Sequence, residues 1–115
     1  MIGYCANDNP TMGAGVQRFA IERKKQHTKP VYTYLFARPL PGDNAGSFHS
    51  SELWFMFHTL DRAWRPFTEA DYKLADEMTD AWTNFAKTGN PNAPDSNDWK
   101  PYDPETDFTF VFDIE

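Results

Sequence analysis

Residues 46–57 read Gly46-Ser47-Phe48-His49-Ser50-Ser51-Glu52-Leu53-Trp54-Phe55-Met56-Phe57, a single histidine followed by a very apolar segment. The segment from Leu53 to Phe57 is apolar at every position, which is typical of a helix buried on all sides and untypical of a surface helix. An extended run, Val31 to Ala37, and a turn-rich stretch, Pro39 to Gly46, precede it. We therefore expect His49 in a loop that leaves the end of a strand, where folds built on a rigid sheet place reactive side chains.

The residues before this stretch predict a helix followed by a buried strand. Thr11 is the expected N-cap of a helix from about Met12 to Gln26, which ends at Thr28-Lys29-Pro30 because the residue before a proline leaves helical geometry. The run from Val31 to Ala37 is β-branched and aromatic without polar alternation, which favours a strand covered on both faces. A helix followed by such a strand is half of a βαβ unit, yet residues 1–10 show no convincing partner strand.

The residues after this stretch predict a long helix and a terminal strand. Thr68 is the expected cap of a helix from about Glu69 to Lys87, with Asp71 in the capping-box position and Gly89 as the left-handed C-cap. One side of this helix carries an apolar stripe that we assign to the core: Tyr72, Ala75, Met78, Trp82, Phe85 and Ala86. Residues 108–114 alternate well enough to form a strand or a half-exposed ribbon.

Composition bounds the classes of function. The chain has 115 residues, enough for one domain, and a net charge of -6 with no long basic run, so the electrostatic footprint of a nucleic-acid binder is missing. The sequence contains no run of about 18 apolar residues, the length needed to span a membrane. Aromatic residues make up 17% of the chain, more large apolar surface than a small hydrophilic domain usually hides, which suggests missing neighbours.

Three sequence motifs, in a fixed order along the chain, carry a family resemblance. The ordered motifs are Phe48-His49-Ser50-Ser51-Glu52-Leu53-Trp54-Phe55-Met56-Phe57, then Trp82-Thr83-Asn84-Phe85-Ala86-Lys87-Thr88-Gly89-Asn90-Pro91-Asn92, then Trp99-Lys100-Pro101-Tyr102. They resemble the C-terminal end of the type-B carboxylesterases, the family that includes the cholinesterases and the bacterial para-nitrobenzyl esterases. The resemblance implies an α/β fold in which residues 1–115 form a single C-terminal segment of an α/β-hydrolase. As an isolated piece it would be mostly helical, with helices packed on one or two sheet strands.

The resemblance also implies the chemistry of ester hydrolysis by a Ser, Glu (or Asp) and His triad. His49 matches the triad histidine, and Glu52 matches an acidic position with a buried supporting role. The nucleophile elbow Gly-x-Ser-x-Gly does not occur in the sequence, and the resemblance places the triad acid and the oxyanion loop upstream of the matched part. The chain is therefore expected to be inactive alone. Completed by that N-terminal portion, it would act on a small carboxylic ester without a cofactor.

Other interpretations of the same residues stay open. His49 could be a loop histidine bound to a backbone carbonyl, or, with Glu52, half of a metal site, although two ligands do not make one. Cys5 could be a nucleophile with His49 as its base, but a small, partly buried thiol fits its neighbourhood better. The chain could also be a non-catalytic fragment that self-associates through its apolar faces, as a homo-oligomer or with a complementary fragment.

Overall fold

A three-stranded parallel sheet forms the centre of the molecule, as seen in a computed structural model that describes residues 1–26 and 29–114. The strands are β1 (Ile2–Cys5), β2 (Thr33–Phe36) and β3 (Phe110–Phe112), in the spatial order β1-β2-β3. Helices α1 (Pro10–Gln26), α2 (Leu53–Met56) and α3 (Glu69–Thr88) and a 3-10 helix (Leu60–Arg62) connect them. The prediction of an α/β arrangement is confirmed, with three strands in place of the expected one or two.

Strand β1 is the main element that the sequence did not predict. It pairs with β2 in parallel, with Ile2 opposite Thr33 and Cys5 opposite Phe36, and so completes a βαβ unit with α1. A strand of four residues that contains a glycine is too short to show a two-residue period. Gly3 has a packing reason, because a Cβ at this position would collide with the ring of Tyr34 on β2.

Both faces of β2 are covered, as the sequence predicted. Tyr34 and Phe36 belong to the larger core, which α3 completes with residues such as Met78. Val31, just before the strand, belongs to a second cluster with Ala20 of α1. Because successive side chains of a strand point to opposite faces, the two clusters lie on the two sides of the sheet.

Part of the aromatic excess is buried in a cluster around Trp99. Its indole Nε1 donates to the carbonyl oxygen of Thr33 at 3.1 Å, and its ring stacks on Phe110 with 5.1 Å between centroids. The rings of Tyr34 and Phe112 meet it edge-on. Such pairs add to area burial, so the loop that carries Trp99 is anchored across β2 and β3.

Helix α1 begins earlier than predicted, and Thr11 is not its cap. Pro10 takes the first helical position, where its missing N–H costs nothing, and the Asn9 side chain accepts from the backbone N–H of Thr11 at 3.1 Å. The helix extends to Gln26. The expected stop at Thr28-Lys29-Pro30 cannot be compared fully, because residues 27 and 28 lie outside the described ranges.

Helix α3 confirms the predicted caps and most of the predicted apolar stripe. Thr68 and Asp71 form the full capping box, and Gly89 ends the helix at φ 78°. The buried apolar positions are Leu74, Ala75, Met78 and Ala81, whereas Tyr72 is 40% exposed. Trp82 and Phe85 pack against the core as predicted, whereas Ala86 is exposed. The core face of α3 therefore includes Leu74 and Ala81, which the prediction left out, and excludes the two ends of the predicted stripe. No helix in the described part of the chain has the length and apolar character needed to cross a membrane.

The expectation that α2 is buried on all sides is wrong for this chain. Phe55 is fully buried and packs on Phe36 at 5.0 Å between centroids, but Leu53 is 42% exposed and Phe57 just beyond the helix is 66% exposed. The apolar pattern is typical of a helix that is covered on all sides. In this 115-residue chain only the side of α2 that carries Phe55 is covered.

A buried ion pair ties the start of α3 to the end of β2. The Arg38 guanidinium donates from Nε to Asp71 Oδ1 at 2.6 Å and from Nη2 to Oδ2 at 2.9 Å, and Thr68 donates to the same carboxylate from its backbone N–H at 2.9 Å. Burial by itself would raise the pKa of Asp71. The hydrogen bonds from Arg38 and Thr68 outweigh burial, and the pKa lies below its ordinary value.

Asp71→Asn is expected to lower the free energy of unfolding by about 3 kcal/mol at neutral pH, because Arg38 loses its buried partner. A carboxyl whose pKa is depressed on folding stabilises the fold above its unfolded value of about 3.9, and the contribution is lost as pH falls through the lower folded value. The difference between wild type and variant in urea unfolding should therefore shrink below about pH 4.

Asp80→Asn, at an exposed position of the same helix, is the matched control and should change stability by less than about 0.5 kcal/mol. An equal loss in both variants, or a difference that persists undiminished into acid, would contradict the role assigned to Asp71.

Candidate active site

Two loops meet at the carboxyl edge of the sheet, one after β1 and one carrying His49 after β2. The backbone N–H of Asn7 donates to the carbonyl of Ser47 at 2.9 Å, and the N–H of Ser47 donates to Asn7 Oδ1 at 2.8 Å. The buried Ser47 hydroxyl donates to the carbonyl of Phe36 at 2.7 Å. Gly46 is required at the junction, since its φ is 71° and a Cβ there would collide with Asn7. We call the two hydrogen bonds between Asn7 and Ser47 the Asn7–Ser47 clasp.

His49 lies where the sequence placed it, in the loop beyond the end of a strand. Its side chain is 70% exposed, and Nδ1 is 3.0 Å from Oδ1 of Asp8. Within residues 1–26 and 29–114 the ring makes no hydrogen bond through Nε2. Ser50 follows at φ 67°, which turns the chain sharply into α2. The interpretation of His49 as a histidine bound to a backbone carbonyl is not what the structure shows, because its partner is a carboxylate.

Asp8 is the site residue that the sequence analysis missed. Its side chain is 3% exposed, and its second oxygen, Oδ2, accepts from the backbone N–H of Cys5 at 2.7 Å. The sequence analysis found no convincing strand in residues 1–10. The signal was an acidic residue three positions beyond the end of a strand parallel to β2, because the carboxyl ends of such strands share one edge of a sheet. That signal could not be used while β1 was unrecognised.

Glu52 is buried, as the resemblance implied, and its partner is Cys5 and not His49. The Cys5 thiol donates to Glu52 Oε2 at 2.9 Å, and the Ser51 hydroxyl lies 3.8 Å from the same sulfur. Desolvation first, and then the hydrogen bond to Glu52 and its charge, raise the pKa of Cys5 to about 11. The thiolate is thus scarce at neutral pH, which argues against Cys5 as a nucleophile.

A metal site finds no support at this position. Glu52 is engaged by Cys5 and His49 by Asp8. No group of three or more His, Cys, Asp or Glu side chains in the described ranges is arranged to hold a metal ion.

An apolar cleft opens beside the imidazole. It has a volume of about 380 Å³ and is lined by Phe48, His49, Ser50, Leu53, Trp54, Phe57 and Thr59. We call it the His49 cleft. Phe48 and Trp54 meet edge-on at 6.1 Å between centroids, which fixes one wall. An exposed base beside an apolar wall can serve a substrate that has one reacting polar group and one apolar group.

Two of the serines near His49, Ser47 and Ser51, are committed to other contacts, and the third, Ser50, lines the His49 cleft. Ser47 and Ser51 are fully buried, the first bonded to the Phe36 carbonyl and the second directed at Cys5. Within the described residues, none of the hydrogen bonds of His49 involves a serine hydroxyl. In the described part of the chain the site therefore combines an exposed imidazole with an apolar wall, and no serine hydroxyl is hydrogen-bonded to the imidazole.

Comparisons with known proteins identify the family. A family model described as the carboxylesterase family matches residues 8–115. The para-nitrobenzyl esterase of Bacillus subtilis (strain 168) is 35% identical over 96 residues, which are 79% of this chain and 19% of that protein. The bile salt-activated lipase of Bos taurus is 31% identical over 99 residues, 78% of this chain and 17% of that protein.

Solved structures show the same relation. An esterase from Clostridium hathewayi, described as able to hydrolyse aliphatic aromatic polyesters, matches 92% of this chain and 21% of its own, with a TM-score of 0.81 and 26% identity. The carboxylesterase EST55 of Geobacillus stearothermophilus matches 90% and 22%, with a TM-score of 0.71 and 30% identity. This chain spans about a fifth of the relatives it matches, and its three strands and helices form part of their α/β-hydrolase fold. The chain belongs to the carboxylesterase family.

Proposed function

We propose that this chain supplies His49 as the general acid–base of a serine carboxylesterase site. The observation that carries the proposal is the exposed imidazole, fixed at the carboxyl edge of a parallel sheet beside an apolar cleft. Family membership supports an ester as the substrate. The nucleophile and the oxyanion hole would come from the portion of the enzyme that this sequence does not include.

In this role His49 moves one proton back and forth through Nε2. It takes the proton of the serine hydroxyl as the serine oxygen attacks the ester carbonyl, and it returns that proton to the departing alcohol. It then takes a proton from the water that attacks the acyl-enzyme and gives it back to the serine. An imidazole suits both directions because its ordinary pKa lies near neutrality.

The substrate we propose is a carboxylic ester of modest size. Leu53 and Phe57 offer exposed apolar surface in the His49 cleft, against which a hydrocarbon part of such an ester could lie. Glu52 would act as a support, since its buried carboxylate joins Cys5 of β1 to the turn that carries His49. Without a nucleophile the chain alone should not turn over esters.

The role of His49 can be tested in a chimera in which this chain replaces the matched segment of the Bacillus subtilis para-nitrobenzyl esterase. Hydrolysis of a p-nitrophenyl ester by the chimera should fall about 10⁴-fold or more in the His49→Ala variant, because base and nucleophile act as a unit. The 115-residue chain alone should show no rate that depends on His49.

His58→Ala is the matched control, since His58 is also partly exposed and also paired with a carboxylate, Asp76, at 2.6 Å. It should leave the rate of the chimera nearly unchanged. Full activity of the chimera without His49, or a His49-dependent rate in the isolated chain, would refute the proposal.

Exposed apolar side chains favour a second candidate, a non-catalytic fragment that pairs with a second copy of itself. Leu53 is 42% exposed and Phe57 is 66% exposed, and both line the His49 cleft. Trp64 is 69% exposed. Large exposed patches of this kind mark interaction surfaces or aggregation sites in soluble proteins. The His49 cleft would then be covered by the partner copy.

Light scattering on the isolated chain tests whether it is a monomer or associates with itself. If the cleft pairs with itself, the measured mass should exceed 13.3 kDa and fall on dilution, and Phe57→Ser should restore the monomer. Phe19→Ser, which removes an exposed ring from α1, should not. A monomeric wild type at all concentrations, or equal effects of both variants, would rule out association through the cleft.

A further inference from the structure

A small polar cavity lies on the α1 side of the sheet, between that helix and the loop that leads to β3. It has a volume of about 90 Å³ and is lined by Tyr4, Gly13, Val16, Gln17, Thr33, Tyr102, Asp107 and Thr109. We call it the Tyr102 cavity. We propose that it is a binding site for ordered water, which links the Tyr102 hydroxyl to α1 and to the loop before β3. The proposal goes beyond ester hydrolysis and does not depend on it.

The Tyr102 hydroxyl is the observation that carries this proposal. The side chain is 2% exposed, and its Oη has no hydrogen-bond partner among residues 1–26 and 29–114. Buried hydroxyl groups in folded proteins are bonded, with few exceptions, to protein atoms or to ordered water, because an unpaired group keeps the full cost of its lost hydration. The hydroxyl therefore needs a partner from the solvent.

Tyr102 is held in place and cannot turn away to find another partner. Its backbone N–H donates to the carbonyl of Val31 at 2.7 Å, and its own carbonyl accepts from Nζ of Lys24 at 3.4 Å. Its ring packs with Val31 and Ala20 in the cluster on the α1 side of the sheet. Because the backbone and the ring are both fixed, the hydroxyl stays at the wall of the cavity.

Gln17 of α1 and Asp107 of the loop flank the hydroxyl without bonding to it. Burial first, and then Asp107, raise the pKa of Tyr102, whereas Gln17 lowers it. The phenol is thus protonated at neutral pH and has a proton to donate. Both side chains are close enough to affect the pKa but lie outside hydrogen-bonding geometry. A water molecule that accepts from Tyr102 and donates to Asp107 satisfies both groups.

The size and the polarity of the cavity favour water over other ligands. At about 30 Å³ for each molecule, it has room for about two or three waters. Its lining mixes the hydroxyl of Thr109, the amide of Gln17 and the carboxylate of Asp107, and water can bond to all three because it both donates and accepts. One carboxylate is a weak ligand set for a calcium ion, which takes roughly six to eight oxygen ligands.

Asp107 shows which part of the fold this water stabilises. Its φ is 51°, and its N–H donates to the carbonyl of Asp103 at 2.7 Å, which closes the turn before β3. A residue other than glycine is strained in this left-handed region and stays there only where its surroundings hold it. Water that joins Asp107 to Tyr102 and Gln17 ties the turn to α1.

A high-resolution crystal structure of the 115-residue chain tests the proposal directly. We expect at least one density peak in the Tyr102 cavity at about 2.5 to 3.0 Å from Oη, the range of an O–H···O hydrogen bond. A cavity without such a peak, or an Oη bonded directly to a protein atom, would overturn the proposal. So would a peak surrounded by oxygens at about 2.1 or 2.4 Å, the distances of bound Mg²⁺ and Ca²⁺.

Urea unfolding of Tyr102→Phe tests the same site without a crystal. If water bonds to the hydroxyl, the variant loses one ordinary hydrogen bond, and the equilibrium constant for unfolding should rise roughly 2- to 10-fold. If the hydroxyl were unpaired, its removal would stabilise the fold and the constant would fall.

Tyr72→Phe is the matched control, because it removes the same hydroxyl from a ring of α3 that is 40% exposed. It should change the unfolding constant by less than about twofold. A constant that falls or stays the same in Tyr102→Phe, or that rises equally in both variants, would refute the water site.

Discussion

The parallel pairing of β1 with β2 is the constraint on which the candidate site depends. It brings the carboxyl ends of both strands to one edge, where the Asn7–Ser47 clasp locks the two following loops together. Asp8 and His49 meet only because of this arrangement, and so do Cys5 and Glu52. Asp8 and His49 are 41 positions apart in the sequence, and Cys5 and Glu52 are 47 apart. A few backbone hydrogen bonds thus bring both pairs into one site.

Buried carboxylates are costly, and those of Asp8, Glu52 and Asp71 are each stabilised by donors that also fix their positions. Asp8 is bound by the N–H of Cys5, Glu52 by the thiol of Cys5, and Asp71 by Arg38 and Thr68. Burial first, and then the charges of Glu52, Cys5 and Asp8, raise the pKa of Tyr34 on β2. The end of the sheet is therefore an anionic edge whose geometry is set by few partners.

The sequence predicted long elements with local signals and failed where tertiary pairing decides. The caps of α3 are local chemistry at Thr68, Asp71 and Gly89, and they were predicted correctly. Strand β1 has four residues and exists through its pairing with β2, so its pattern carried no signal, and Asp8 was missed with it. His49 was found from its motif. The burial of α2 was overestimated because its apolar pattern is typical of a helix inside a larger protein. In this chain only one side of α2 is covered.

Nuclear Overhauser contacts between the backbone protons of residues 2–5 and 33–36 test the central claim most directly, because everything at the site follows from that pairing. The account predicts parallel contacts in the register Gly3 with Tyr34 and Cys5 with Phe36, together with slow amide exchange at Ala6 and Asn7, whose N–H groups bond to Phe36 and Ser47. Residues 2–5 without contacts to β2, with fast-exchanging amides at residues 6 and 7, would contradict it.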